Sequence, residues 1–348
     1  MSIKYYLRQD CRLCGSTDLE LVLPLTPTAL CDAYLHKKKQ QEVFPLNLYL
    51  CRDCGFVQID CVVDPEHIYK DYIYVTTSSV GLDSHFANYA KAVTSRLQLD
   101  TLSMVVDIGS NDGTLLKHFK ANDMRVLGVE PAVEIANAAT LSGIQTYAEY
   151  FNEILVEEIL REHNHADVIT INNTFANIDD LAGLTDSMVR LLSPEGVIII
   201  ESSYLVDMIN NMVFDFIYHE HFSYLSILPL VRYFSGYGIK LIDLEHIPTK
   251  GGSMRYYFAK DSSKRSMNPE VDFWIEKENN MKVNCPETFE KFEERINNCK
   301  NKLIDELNRY NGVTIAGYGA SATSTTLIHH FGLGDYLTFL VDDNSSKI

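Results

Sequence analysis

The period of the apolar positions changes along the chain. Up to about residue 65 they form short patches, at 19–25 and 46–50, with no sustained helical repeat. That pattern predicts a small, loop-rich module. Residues 66–100 turn aromatic and hydroxyl-rich (Tyr69, Tyr72, Tyr74, Thr76 to Ser79), and an amphipathic stretch at 84–98 predicts a helix. From residue 102 onward, strand-like runs at 103–108, 125–129, 167–171 and 196–201 alternate with helical patterns at 115–121, 132–142 and 180–192. Such alternation predicts right-handed βαβ units and a parallel sheet. Runs at 239–246 and 253–260, joined through Pro248 and Gly251-Gly252, predict an antiparallel pair. At 286–310 the residues Phe289, Phe292, Ile296, Cys299, Leu303 and Leu307 recur every three or four positions, as on one face of a helix. A strand, glycine turn, helix and strand then follow at 312–316, 322–330 and 337–341. One βαβ unit cannot close a doubly wound domain, so these strands either extend another sheet or belong to a shortened version of a longer protein. The expected division is 1–66, 67–260 and 261–348.

Composition narrows the choice of partners. Of 348 residues, 46% are hydrophobic, enough for a buried core, and the formal net charge is −17. That charge repels phosphate backbones and anionic lipid, so nucleic acid and membrane are not expected partners. A small anionic substrate in a local pocket is not excluded. No run approaches the roughly 20 apolar residues of a membrane span. The start, MSIKYYLRQD, has no apolar stretch of the kind a signal peptide needs. Four of the eight cysteines form C-x-x-C pairs, which without an export signal favours metal over disulfides and points to a reducing cytoplasm.

The pairs are Cys11/Cys14 and Cys51/Cys54, each followed by a glycine, Gly15 and Gly55. Two thiolates two residues apart bite one face of a metal, and glycine permits the tight knuckle. Four thiolates complete a tetrahedral structural zinc site and leave no open position for catalysis. The alternative is two unmetallated thiol pairs.

Three further motifs carry chemistry. In VVDIGSNDGTLL an apolar strand runs into Asp107, Gly109, Asn111, Asp112 and Gly113 before a helix. Asn111 replaces the second glycine of a nicotinamide fingerprint, and two aspartates oppose a pyrophosphate. The loop suits a ligand with an ammonium and no phosphate, as in S-adenosylmethionine, with Glu130 at the next strand end for the ribose diol. An ordinary βα turn is the alternative. Next, Tyr218-His219-Glu220-His221 sets two histidines around a carboxylate. In an extended strand His219 and His221 would share a face. They could ligate metal, act as a general base near neutral pH, or form a polar loop. Finally, Gly317-Tyr318-Gly319 after a strand, with Asp342 and Asp343 at the next strand end, could hold NAD or the diphosphate of a nucleotide-sugar.

Taken together, the cysteine pairs, Tyr74-x3-Ser78-Ser79, Asp107-Ile-Gly-Ser-Asn-Asp-Gly113, Glu130-Pro131, Asn173-Thr174, Glu220-His221-Phe222, Gly251-Gly252-x2-Arg255 and Gly317-Tyr-Gly-Ala320 resemble the S-adenosylmethionine-dependent sugar C-methyltransferases of deoxysugar biosynthesis. The resemblance covers nearly the whole chain. It implies a class I methyltransferase α/β fold with a Rossmann-like sheet, a zinc-binding N-terminal module and a partial C-terminal Rossmann-like region. It implies C-methylation of a nucleotide-linked 4-keto sugar, with His221 as general base, Glu220 beside it and Tyr74 over the sugar. Cofactor contacts are expected from Asp107, Gly109, Asn111, Asp112, Gly113, Glu130, Pro131 and Asn173. Substrate contacts are expected from Tyr74, Ser78, Asn177, Tyr218, Gly252, Arg255, Gly317 and Tyr318. Asn177 stands where a characterised member of the family has an active-site histidine, Thr323 stands where that member has a lysine, and family members continue beyond Asp343. An O- or N-methylating enzyme, or a non-catalytic protein that binds the same ligands, would share much of this pattern.

Overall fold

In the computed structural model, residues 4–33, 40–69, 76, 81–310 and 312–344 are described; Tyr74 and Ser78 lie outside them. The N-terminal region is more regular than its short apolar patches suggest. It holds β1 (Tyr5–Leu7), β2 (Leu19–Thr28), β3 (Phe44–Cys51), β4 (Val57–Ile59), β5 (Cys61–Val63) and the short helix α1 (Pro65–Tyr69). Along β3, Phe44, Leu46, Leu48 and Leu50 are buried while the residues between them are half-buried. That is the period of two of a strand with one face in a core. Pro24 and Pro27 disguise β2 in the sequence, but β2 is an edge strand, where a missing amide is tolerated.

The central sheet has seven strands in the order β12-β13-β10-β9-β6-β7-β8. Its elements in chain order are α2 (Leu82–Leu97), β6 (Met104–Ile108), α3 (Thr114–Lys120), β7 (Arg125–Val129), α4 (Val133–Leu141), β8 (Thr146–Tyr147), α5 (Glu153–His163), β9 (Ala166–Asn172), α6 (Leu181–Leu191) and β10 (Leu192–Ser203). After α7 (Leu205–Asn210), β11 (Ser223–Tyr224) and α8 (Ile227–Ser235) come β12 (Ile239–Ile247) and β13 (Ser253–Lys260). Strands β8, β7, β6, β9 and β10 are parallel, and β13 and β12 add antiparallel at the β10 edge. Alternate residues face opposite layers. Val106, Ile108, Ile169 and Ile198 pack with Leu155, Val156 and Leu184 of α5 and α6, whereas Val105, Val168, Val197 and Ile199 pack with Phe86, Val93 and Leu116 of α2 and α3. A sheet covered on both faces needs such near-continuous apolar strands.

Strand β11 does not join this sheet. It pairs with β4 in the four-stranded order β11-β4-β3-β2, so the segment after His221 completes the N-terminal sheet. Helices α9 (Glu270–Met281) and α10 (Pro286–Leu307) lead to β14 (Ile315–Tyr318), α11 (Ala322–Phe331) and β15 (Leu337–Val341). Among the described residues β14 and β15 pair only with each other, in parallel, rather than extending another sheet. Helix α11 docks back on the body, with Thr326 donating to the Ile217 carbonyl at 2.7 Å and Phe331 stacked on Phe214.

Candidate functional site

A cavity of about 1470 Å³ opens at the carboxyl ends of β6, β7, β9 and β10. In an open α/β sheet this is where ligands bind, at the point where strand order reverses. Its wall includes Asp107, Gly109, Asn111, Glu130, Pro131, Asn173, Asn177, Tyr218, Glu220 and His221, so most of the sequence candidates meet in one space.

The glycine loop is built by its own contacts. Gly109 has φ +73°, and a Cβ there would lie 2.4 Å from Thr174 Oγ1. The glycine therefore answers first to Thr174, not only to an approaching ligand as its motif suggests. Asn111, at φ +49°, accepts from the backbone amide of Thr76 at 2.9 Å through its side-chain oxygen. Glu130 accepts from the amides of Asn111 at 3.0 Å and Ala132 at 2.9 Å, and burial raises its pKa. Asp107 accepts from Thr170 Oγ1 at 2.6 Å; burial, and after it the charge of Glu130, pushes its carboxyl up to about 7. Two sequence candidates fall elsewhere. Asp112 accepts from Thr114 Oγ1 at 2.5 Å and from the Thr114 amide at the start of α3, and Gly113 packs against Ile144; neither lines the cavity.

The cavity suits a cationic, donor-rich cofactor. Its described wall carries eleven acidic side chains against the cations Arg190 and Lys250. The buried side-chain oxygens of Asn172 and Asn177 have no described partner and await donors. S-adenosylmethionine offers a sulfonium, an ammonium and an adenine amine. Glu130, Asn172 and Asn177 bring side-chain oxygens, which can accept from such groups, to the cavity wall.

Residues 217–222 turn instead of running as a strand, so the two histidines part company. His219 is buried and its Nε2 donates to the Pro45 carbonyl at 3.1 Å, edge-on to Phe44 in the N-terminal module. His221 turns to the cavity. Its Nδ1 lies 3.0 Å from the Phe216 carbonyl, which can only accept, so Nδ1 carries the proton and Nε2 keeps its lone pair. Tyr218 lies against its ring, with centroids 4.1 Å apart. The expectation of a base titrating near neutrality needs correction. Burial, partly offset by the Phe216 carbonyl and reinforced by the charge of Lys250, lowers His221 to about 4. Burial and then Asp32 raise Glu220 to about 8. At neutral pH the pair is a neutral imidazole beside a protonated acid.

Four residues expected at the substrate stand apart from the cavity wall. Arg255 is buried behind it, paired with Glu201 at 2.7 Å and Glu245 at 2.8 Å and stacked on Tyr89. Its charge is spent on core carboxylates. Gly252 is packed on Asp207, 2.3 Å from where a Cβ would stand. Gly317 gives room to Leu340, and exposed Tyr318 bonds to Asp343 at 2.5 Å. In the C-terminal loop the Asp342 carboxylate accepts from the Ala320 amide at 2.8 Å and the Asn344 amide at 2.9 Å, which weakens the case for a diphosphate there. Ser321, Ala322, Thr323, Asp342, Asp343 and Asn344 line the cavity in their place. The residues that sequence reasoning missed are Lys250 and Asp32, both in the wall. The glycine pair beside Lys250 signalled a turn, but no periodicity could show where its side chain went.

The four cysteines meet as expected, with all four Sγ atoms within 4.8 Å of one another. Cys11 and Cys54, and Cys14 and Cys51, are 3.6 Å apart, close to the roughly 3.8 Å edge of a zinc–sulfur tetrahedron. The knuckles match: Gly15 and Gly55 adopt φ +73° and +79°, and their amides donate to the carbonyls of Cys11 and Cys51 at 2.9 Å. Next to Cys11, buried Arg12 pairs with Asp179 at 2.8 Å and donates to the Ile59 carbonyl at 2.6 Å. The Ile59 amide in turn donates to the carbonyl of Phe222, one residue past His221, at 3.0 Å.

Comparison with known proteins places this architecture. Residues 11–69 match a zinc binding domain, 82–244 a methyltransferase domain and 248–348 the C-methyltransferase C-terminal domain. C-methyltransferase NovU of Streptomyces niveus is 30% identical over 331 residues, 93% of this chain and 79% of NovU. The chain belongs to the C-methyltransferase family. It is thus an S-adenosylmethionine-dependent methyltransferase of class I α/β fold, with a four-cysteine zinc site in its N-terminal module. Solved structures share parts of this C-methyltransferase at low identity. An S-adenosylmethionine-dependent methyltransferase from Clostridium acetobutylicum matches 56% of this chain and 96% of its own at 12% identity, TM-score 0.43. The plantazolicin methyltransferase BpumL in complex with SAH matches 51% and 88% at 16% identity, TM-score 0.39. Among the described residues no helix is long and apolar enough to cross a membrane.

Proposed function

We propose that this C-methyltransferase methylates the carbon next to the ketone of a nucleotide-linked 4-keto-deoxysugar, in the cytoplasm, with His221 as the base. The division of the chain at about 66 and 260 into zinc, methyltransferase and nucleotide-sugar regions belongs to the same proposal. The observation that carries it is the tautomer of His221: Nδ1 is committed to the Phe216 carbonyl, so Nε2 can accept a proton inside the cofactor cavity. A hydrogen next to a ketone is removable because the electron pair passes to the carbonyl oxygen as an enolate. His221 Nε2 takes that proton and becomes an imidazolium, which later returns it to water. S-adenosylmethionine, when bound, supplies a methyl whose bond to sulfur breaks as the new carbon–carbon bond forms. The side-chain oxygen of Asn177 is an acceptor for a sugar hydroxyl or a cofactor donor.

Proton removal can be read apart from methyl transfer. In D2O the enzyme should wash deuterium into the position next to the ketone of a nucleoside-diphosphate 4-keto-6-deoxyhexose. His221→Ala should lose exchange and methylation by about 10²–10⁴-fold, the usual span for general-base catalysis. Affinity for S-adenosylmethionine should stay near wild type. His219→Ala should be milder, since His219 faces the N-terminal module. Full exchange in the His221→Ala enzyme would remove His221 as the base.

A further inference from the structure

The base described above is weak, and something else must make the ketone acidic. We propose that Lys250 is a further catalytic residue, its ammonium holding the enolate oxygen while His221 takes the proton; this rests on the ketone reading above. Three observations carry it.

The first is position. Lys250 lines the cavity together with Tyr218, Glu220 and His221, and its side chain keeps an accessible surface although the turn that bears it sits against the body of the protein. The second is the absence of a competing role. Among the described residues none makes an ion pair or hydrogen bond with its ammonium. Burial lowers its pKa and the charge of Glu201 opposes that shift, but Glu201 is already held by His85 at 2.7 Å and Arg255 at 2.7 Å. A cation free in a cavity is available to substrate; Arg190, the other described cation in the wall, is occupied by Glu153 and Glu157.

The third is backbone strain. Lys250 adopts φ +54°, in a left-handed run with Gly251 at +82° and Gly252 at +122°. That conformation costs a residue with a Cβ, whereas glycine adopts it freely. The turn is fixed from several sides. The Gly252 amide donates to the Thr249 carbonyl at 2.9 Å, the Asn211 side chain donates to the Gly251 carbonyl at 2.8 Å, and the Tyr204 amide donates to the Gly252 carbonyl at 3.1 Å. A strained residue held in place by its surroundings is the pattern of a functional position. The chemistry agrees. A neutral imidazole whose conjugate acid is strong can take a carbon-bound proton only if the enolate is well stabilised. A fixed cation facing the carbonyl oxygen supplies such stabilisation.

The experiment uses the full-length, zinc-loaded chain with Lys250→Gly, Lys250→Met and Lys250→Arg. Deuterium wash-in to a panel of nucleoside-diphosphate 4-keto-6-deoxyhexoses gives kcat, KM and the pH profile, and calorimetry gives Tm and cofactor affinity. Lys250→Gly and Lys250→Met should lose about 10²–10³-fold in kcat, as for loss of an oxyanion donor, with little change in KM. Lys250→Arg should recover part of the loss. Lys250→Gly should melt no lower than wild type, because it relieves the left-handed strain; a purely structural lysine would instead lower Tm. Losing the nearby positive charge should also move the acid limb of the profile to higher pH, since protonated His221 is then less repelled. Unchanged kcat with a raised KM would overturn the proposal and make Lys250 a clamp for the substrate's phosphates. A wild-type enzyme that exchanges no ketone in the panel would bring down the ketone reading and this proposal together. A wild type that exchanges while the glycine and methionine variants exchange equally would bring down the proposal alone.

Discussion

Glu220 is a carboxyl that folding keeps from ionising, and this has a measurable sign. Burial and the neighbouring Asp32 raise it to about 8, whereas an unfolded chain ionises it near the usual value of about 4.3. Below that lower value both states are protonated and Glu220 costs nothing. As pH rises toward 8 the unfolded state alone gains by ionising, so the native state loses stability; above 8 the loss is constant. Glu220→Gln should therefore leave Tm unchanged near pH 4.5 and raise it increasingly up to about pH 8. The gain should be about 1–3 kcal/mol, discounted because the group borders a water-accessible cavity. Melts of both proteins across that range decide it; a gain largest at low pH would contradict the buried, protonated acid. The identity of this residue was legible in Glu220-His221, but its protonation state was not, because it depends first on burial in the folded cavity wall and then on Asp32, 188 positions away in sequence. Arg255 shows the converse. An arginine after a glycine pair reads as a substrate ligand, yet Glu201 and Glu245, on the strands flanking it, claim its charge.

At the level of elements, the strands and helices from residue 102 onward were readable because their apolar periods are long. Strand β11 was not. Two residues have no period, and their place beside β4 depends on a partner 160 or more positions upstream. That short pairing carries a consequence for the metal. Cys51 and Cys54 flank the turn between β3 and β4, and β4 pairs with the strand that follows His221. Removing zinc, by Cys51→Ser or by a chelator, should unfold the N-terminal sheet, since metal binding in small modules is folding free energy. Deuterium exchange should then fall by at least about 10²-fold, as for loss of the positioned base. Cofactor affinity should change little, because the loop of Gly109 and Glu130 stands on β6 and β7. A zinc-free protein that still catalyses exchange would show that the β4–β11 pairing does not hold His221 in place.

For the molecule as a whole, the net charge of −17 and a wall rich in acidic side chains set the terms on which an acceptor enters. The proposed nucleoside-diphosphate sugar would approach against this field. Salt screens such repulsion, the Debye length falling from about 30 Å at 0.01 M to about 8 Å at 0.15 M. The KM for the nucleotide-sugar should accordingly decrease as sodium chloride rises through that range. A KM that increases with salt would mean an acceptor drawn in by the acidic wall, and so a cation instead of a nucleotide-sugar. The joining of β11 to β4 also bears on how the chain can be recombined. The strand that follows His221 and the cysteine knuckles share one sheet although some 150 residues of methyltransferase fold separate them in sequence. A chimera that takes its first 66 residues from a relative would set a foreign β4 against the native β11. Functional exchange of the zinc module between relatives would then require residues 217–226 to travel with it, so that crossovers in a shuffled library should be tolerated in pairs.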